Sequence, residues 1–116
     1  MTRPPEPGVV RDVGVRIEGP GWTITYATQA TPNGTAFSLL LEAADRLGFD
    51  VGYRRFAPPL DSVLVTSING TENGEEDLWW LYWVDGRYGE SGADRAALAD
   101  GSDVLWAFRS YPPTEA

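Results

Sequence analysis

An α+β roll, with a mixed sheet and one main helix packed on one face of it, is the fold class that the sequence predicts. Three observations predict it. A single segment carries a sustained helical period, six others carry strand patterning, and strands lie on both sides of that helix in the chain. A doubly wound fold would alternate strands with several helices, and a solenoid would repeat at a fixed period; neither pattern is present.

Val9 to Glu18 alternates, with Val13, Val15 and Ile17 apolar and Asp12, Arg16 and Glu18 charged, which predicts a half-buried strand. Gly19-Pro20-Gly21 is a turn, and Trp22 to Thr28 is β-branched and aromatic, so the two segments form a hairpin. Ala36 to Leu47 is the helix. Phe37, Leu40, Leu41, Ala44 and Leu47 share one face, Glu42, Asp45 and Arg46 the other, with Thr35 as N-cap and Gly48 as a left-handed C-cap. Phe49 to Phe56 and Val63 to Ile68 are further strands, and Thr71 to Asp77 is a polar loop. Leu78 to Val84, the most apolar segment, runs into the tight-turn pair Asp85-Gly86. Within Ser91 to Asp100 there is room for one helical turn, and Val104 to Ser110 is the last strand.

The chain of 116 residues suits one domain over 9–111, with a disordered Pro-rich tail at 1–8 and a short C-terminal tail at 112–116. Five Trp, five Tyr and four Phe supply a core without disulfides. No apolar run approaches the ~18 residues of a membrane span. Met1 to Gly8 reads neither as a signal peptide nor as a helix.

Missing residue types narrow the chemistry. The sequence has no His, no Cys and no Lys, its nine basic residues all being Arg. That removes the commonest general base, thiol nucleophiles, Schiff-base chemistry and nearly every zinc site. A carboxylate enzyme needs two acidic groups converging in a cleft, and no pair stands at a suggestive spacing. A net charge of −8 opposes a nucleic-acid partner, which demands clustered cations. The expected class is therefore a binding module, not an enzyme.

Five stretches carry a resemblance. They are G-T-A-F-S-L-L-L-E-A-A at 34–44, V-T-S-I-N-G at 65–70, W-W-L-Y-W-V-D-G at 79–86, G-A-D at 92–94 and D-G-S-D-V-L-W at 100–106. In this order, from about Val13 to Phe108, they resemble the transcobalamin-like C-terminal domain family of the ligand-binding β-grasp superfamily. The resemblance implies a β-grasp (ubiquitin-like) roll. It also implies a ligand held between such a domain and a helical partner domain, the corrinoid cobalamin being the cofactor it admits. No histidine is present to ligate cobalt, so a stand-alone cobalamin carrier is not implied. The family context implies an extracellular or cell-surface setting; a cytoplasmic one is the alternative.

The ligand-binding candidates are Trp79, Leu81, Trp83 and Tyr88. On a strand, Trp79, Leu81 and Trp83 point one way and Trp80, Tyr82 and Val84 the other. In the last strand, Val104, Trp106 and Phe108 are expected inward, and Leu105, Ala107 and Arg109 outward. With Trp80, Tyr82 and Val84 in the core, two Trp rings stand on the opposite face as an interaction patch, bordered by Tyr88. The competing reading is that loops or the N-terminal segment cover these rings as ordinary packing. A protein-interaction module using the same face or a sheet edge is the alternative function. Glu72, Glu75, Glu76 and Asp77 read as a solvated loop, with a hard-cation site as the lesser reading and no metal expected. Asn33-Gly34-Thr35 and Asn69-Gly70-Thr71 read as turns that also fit the N-glycosylation pattern.

Overall fold

A computed structural model describes residues 9–32 and 34–113. The tail expected at 1–8, Asn33 and the last three residues of the C-terminal tail lie outside the described residues. β1 (Val10–Gly19) and β2 (Trp22–Thr31) form the expected hairpin, with Gly19 opposite Trp22 and a two-residue turn at Pro20-Gly21. Gly21 stands at φ 77°, a left-handed geometry that glycine adopts without steric cost.

The helix α1 (Ala36–Leu47) starts and stops where its caps predict. Thr35 Oγ1 accepts from the Ser38 N–H at 3.0 Å, and Ser38 Oγ accepts from the Thr35 N–H at 2.9 Å. Each side chain thus satisfies one amide that the first helical turn leaves without a partner. Gly48, at φ 81°, closes the other end, with the Phe49 N–H donating back to the Ala44 carbonyl at 3.1 Å.

The buried face of α1 differs from the expected one. Ala36, Phe37, Leu39, Leu40 and Ala43 are buried, whereas Leu47 is 51% exposed. The stripe is turned by about one residue because Glu42, expected in solvent, is drawn toward the hairpin. Its carboxylate accepts from the Tyr26 hydroxyl and, at 2.7 Å, from Thr31 Oγ1.

β3 (Val51–Arg55), β4 (Val63–Ile68) and β5 (Thr71–Glu72) form an antiparallel sheet of their own, in the order 3-4-5. The left-handed pair Asn69-Gly70 makes the β4–β5 turn. β6 (Trp79–Val84), β7 (Arg87–Tyr88) and β8 (Asp103–Arg109) join the hairpin in a five-stranded sheet, ordered 2-1-8-6-7. Only β1 and β8 run parallel in it; the other pairs are antiparallel, so the larger sheet is mixed. The fold is α+β, as expected, but its strands divide between two sheets. A side-chain bridge stands where the two sheets part. Asn73 stands between β4 and β6, its Nδ2 donating to the Val65 carbonyl at 2.9 Å and its Oδ1 accepting from the Trp80 N–H at 2.8 Å. A side-chain amide satisfies groups that would otherwise pair strand to strand.

The core lies between the inner face of the larger sheet, α1 and β4. Val13, Val15 and Ile17 of β1 meet Val104 and Trp106 of β8 and Trp80 and Tyr82 of β6. Leu39 and Leu40 close over them from the helix, and Val63, Val65 and Ile68 from β4. Trp80 Nε1 donates to the Thr71 carbonyl at 2.8 Å, tying the two sheets together again inside this core. Burying an aliphatic side chain of this kind contributes about 1.5–3 kcal/mol.

The position of the helix stripe is directly testable. Leu39→Ala should cost about 2–5 kcal/mol in urea unfolding, because Leu39 is fully buried. Leu47→Ala should stay within about 0.5 kcal/mol of wild type. The reverse ranking would place the stripe where the periodicity alone put it.

Candidate functional site: the outer face of the five-stranded sheet

Strand alternation turns Trp79, Leu81 and Trp83 away from the core, and the register assembles them with residues from distant parts of the chain. The Asp85-Gly86 turn, with φ of 50° and 82°, sets Tyr88 opposite Trp83. Trp83 pairs with Leu105, Leu105 with Arg16 and Arg16 with Thr25, so one row crosses all five strands. In the next rows Leu81 is beside Ala107, Ala107 beside Glu18, and Trp79 beside Arg109.

Two tryptophans do stand on this face, but only one is exposed. Trp79 is 42% exposed, whereas Trp83 is 3% and Leu81 9%. The patch of two open rings is therefore corrected to a small second core of Leu81, Trp83 and Ala107, with Tyr88 and Leu105 packed against it. The cover comes from neighbouring side chains. The Tyr88 ring lies 5.7 Å from that of Trp83, and the Arg109 guanidinium sits 5.2 Å above it in cation–π geometry.

Arg109 is held there by Glu18. Arg109 Nη2 lies 3.1 Å from Glu18 Oε1, and Arg16 Nε lies 2.7 Å from Glu18 Oε2. Burial pushes the Glu18 carboxyl up, but hydrogen bonds and charge from the two arginines outweigh it and hold it below its ordinary value. The Tyr88 phenol is pushed up, first by burial and then by Tyr111, Glu90 and Tyr82 around it. None of Arg16, Glu18 and Arg109 is a site residue on sequence grounds. Alternation puts each on the outer face, but only the strand order brings the first and last strands side by side.

Beside this cluster an open groove of about 480 Å³ runs over the sheet, lined among others by Gly14, Arg16, Ala27, Trp83 and Leu105. Gly14 pairs with Ala27 on one side and Asp103 on the other, so two small residues leave the hollow. Leu105 and Trp83 give it an apolar side, and Arg16, Glu18 and Asp103 a charged one. A second cleft, of about 330 Å³, lies between β4 and β6 and is bordered by Tyr82 and Trp106. Trp106 Nε1 is the only buried side-chain polar atom without a hydrogen-bond partner among the described residues. Glu72, Glu75, Glu76 and Asp77 are exposed, and Glu75 accepts from the Glu72 N–H at 2.6 Å within its own loop. Among the described residues no three carboxylates, histidines or cysteines gather as metal ligands, and no helix is long and apolar enough to cross a membrane.

The geometry defines a class: an α+β domain with its helix on the inner face of a mixed sheet and an aromatic, grooved outer face. Residues 33–110 match the family described as a domain of unknown function, DUF4430, and the chain belongs to that family. No curated protein matches it significantly. Among solved structures it is similar to a proposed metal-binding protein from Ruminococcus gnavus. The TM-score there is 0.62 at 14% identity, over 86% of this chain and 97% of that one. It is also similar to part of haptocorrin in its complex with Cbi, with a TM-score of 0.65 at 17% identity. That match takes in 94% of this chain but only 27% of haptocorrin, so the chain spans about a quarter of that protein's length. At these identities the likeness is one of fold.

Two outcomes are expected from the outer face. Trp83→Ser should cost about 3–5 kcal/mol, because it empties a buried site, and Trp79→Ser should cost under about 1 kcal/mol by the same denaturant measurement. Glu18 titrates lower in the folded chain than in the unfolded one. Its contribution is therefore present above the ordinary carboxylate range and fades as pH falls through the folded value. Glu18→Gln should be less stable than wild type at pH 7, by under about 1 kcal/mol for so exposed a pair. The two should converge in acid. A gap constant with pH would mean that the carboxylate charge is not what holds Arg109.

Proposed function

We propose that this chain is a non-catalytic β-grasp module, similar to the C-terminal domain of the transcobalamin family, that supplies one wall of a binding site for a flat, partly apolar ligand. A corrinoid is the ligand class favoured. The single observation that carries the reading is the likeness to haptocorrin, a protein solved with Cbi, over 94% of this chain and only 27% of that one. The topology supports it: the order 2-1-8-6-7, with first and last long strands parallel at the centre and the helix following the hairpin, is compatible with a β-grasp roll. An open groove against an apolar Trp83–Leu105 wall suits a ligand covered from its other side by a helical partner domain. The non-catalytic part of the proposal rests on the missing His, Cys and Lys. An extracellular or cell-surface setting goes with this reading.

Isothermal titration calorimetry with cobinamide and with cobalamin tests it, since corrinoid absorption would confuse tryptophan emission. Saturable binding is expected, weak for a single wall, with a dissociation constant of about 10⁻⁴ M. Leu105→Glu, which charges the apolar wall, should weaken it at least about tenfold, a loss of roughly 1.4 kcal/mol. No heat with either corrinoid up to millimolar concentration would shift the assignment to a protein-interaction module.

A further inference from the structure

The two sheets have four outer edges, and three of them are blunted. β7 and β5 are two residues long, and β3 ends in Arg54-Arg55 with a register irregularity at Gly52/Tyr53. Short length, charge and irregularity are the usual devices that stop an edge from pairing with another chain. The fourth edge, β2, has none of them. It is ten residues long, WTITYATQAT, with no Pro and no charge. The surrounding sequence is equally bare: no Asp, Glu, Arg or Lys stands between Glu18 and Glu42. In a chain of net charge −8, the residues of this strand bring no charge of their own to an approaching second copy; the Glu42 carboxylate is held on its inner side by Tyr26 and Thr31.

The register says which backbone groups are free. The Gly14 N–H donates to the Ser102 carbonyl at 3.2 Å, so Gly14 faces β8 and not β2. Its partner across the hairpin, Ala27, therefore directs its own N–H and C=O away from β1. By alternation Thr25 and Thr23 do the same. Among the described residues, none of these groups has a hydrogen-bond partner.

We propose that β2 is a self-association edge, on which a second copy of this chain pairs antiparallel about a two-fold axis at Thr25 to make one continuous ten-stranded sheet. With Thr25 opposite itself, Thr23 faces Ala27 of the second copy, and all three free residues find partners at once. On the inner side Ile24 comes opposite Tyr26 of the second copy, an aliphatic–aromatic pair of the kind that stabilises antiparallel sheets. Both side chains are half-buried on the core in the single chain, so their exposed edges are what the pairing covers. The arrangement is isologous and closes at two copies. It does not depend on the ligand reading above.

The test is sedimentation velocity on the full chain over a range of concentration, at low and at moderate salt. A strand-pair interface is at the small end, under about 1,200 Å², so a dissociation constant of about 10–100 µM is expected. The mass should rise from 12.7 kDa toward twice that value, and salt should tighten the dimer by screening the net charge of the two chains. Thr25→Lys and Thr25→Glu, each charging an exposed position, should each weaken the dimer at least about tenfold with circular dichroism and melting temperature unchanged. Mixed one to one, they should restore it. A wild-type chain that stays at 12.7 kDa to millimolar concentration would overturn the proposal. So would a dimer that survives both variants, or a mixture that stays monomeric. Corrinoid binding by a strictly monomeric chain would overturn the edge proposal and leave the ligand reading standing.

Discussion

The last strand has to enter the middle of the sheet, and most of the remaining architecture follows from that requirement. β8 pairs with β1 on one side, at the far end of the chain, and with β6 on the other. Its parallel partner cannot be reached by a tight turn, so the chain between them must cross over. The helix and the smaller sheet lie in that crossover, and they are the elements that cover the inner face. Trp106, at the centre of β8, is 2% exposed, and its ring lies 5.1 Å from that of Tyr82 on the neighbouring strand, tilted by 36°. Val104 and Trp106 complete this core only when β8 is in place. Contacts so distant in sequence imply folding slower than in a helical domain of the same size.

A sheet covered on one side must solve its other side differently. Here no second layer lies on the outer face among the described residues, and side chains do the covering. Trp83 lies under Arg109 and against Tyr88, and Arg109 is kept over the ring by Glu18. Since β1, β6 and β8 each contribute to this cluster, it also reinforces the central pairing from outside. Next to it the surface drops into a groove, because Gly14 and Ala27 have little or no side chain to fill it. An apolar wall and a charged rim thus stand together, which is the kind of surface on which a flat ligand can be both stacked and oriented.

Charge is distributed to match. The acidic residues crowd the loops and the carboxyl-terminal half, where Glu72, Glu75, Glu76 and Asp77 stand exposed. The hairpin edge and the start of the helix have none. Glu42, the first charge after this bare stretch, is held by Tyr26 and Thr31 on the inner side of β2. Long-range repulsion between copies and a neutral edge strand are therefore features of one surface, and the balance between them depends on salt.

The local elements were legible in the sequence because their signals are local. The helix bounds came from Thr35 and Gly48, the turns at Asn69-Gly70 and Asp85-Gly86 from residues that tolerate positive φ, and the faces of β6 and β8 from a period of two. The helix stripe was not, since 36/39/40/43 and 37/40/41/44 are both apolar in this sequence, and the Glu42 hydrogen bonds to the hairpin go with the first of them. The separation into two sheets was equally out of reach, because strand partners are not encoded in a period of two and the Asn73 bridge between β4 and β6 leaves no periodic trace. Of the candidate site, the sequence by itself determined the residue types and the face: Trp79, Leu81 and Trp83 together, with Tyr88 beside them. The tertiary structure decided that Trp83 is covered and Trp79 is not. The physical reason is that exposure on an open sheet face depends on which strands lie alongside, and Arg109, Glu18 and Arg16 meet only when the two ends of the chain pair at the centre of the sheet.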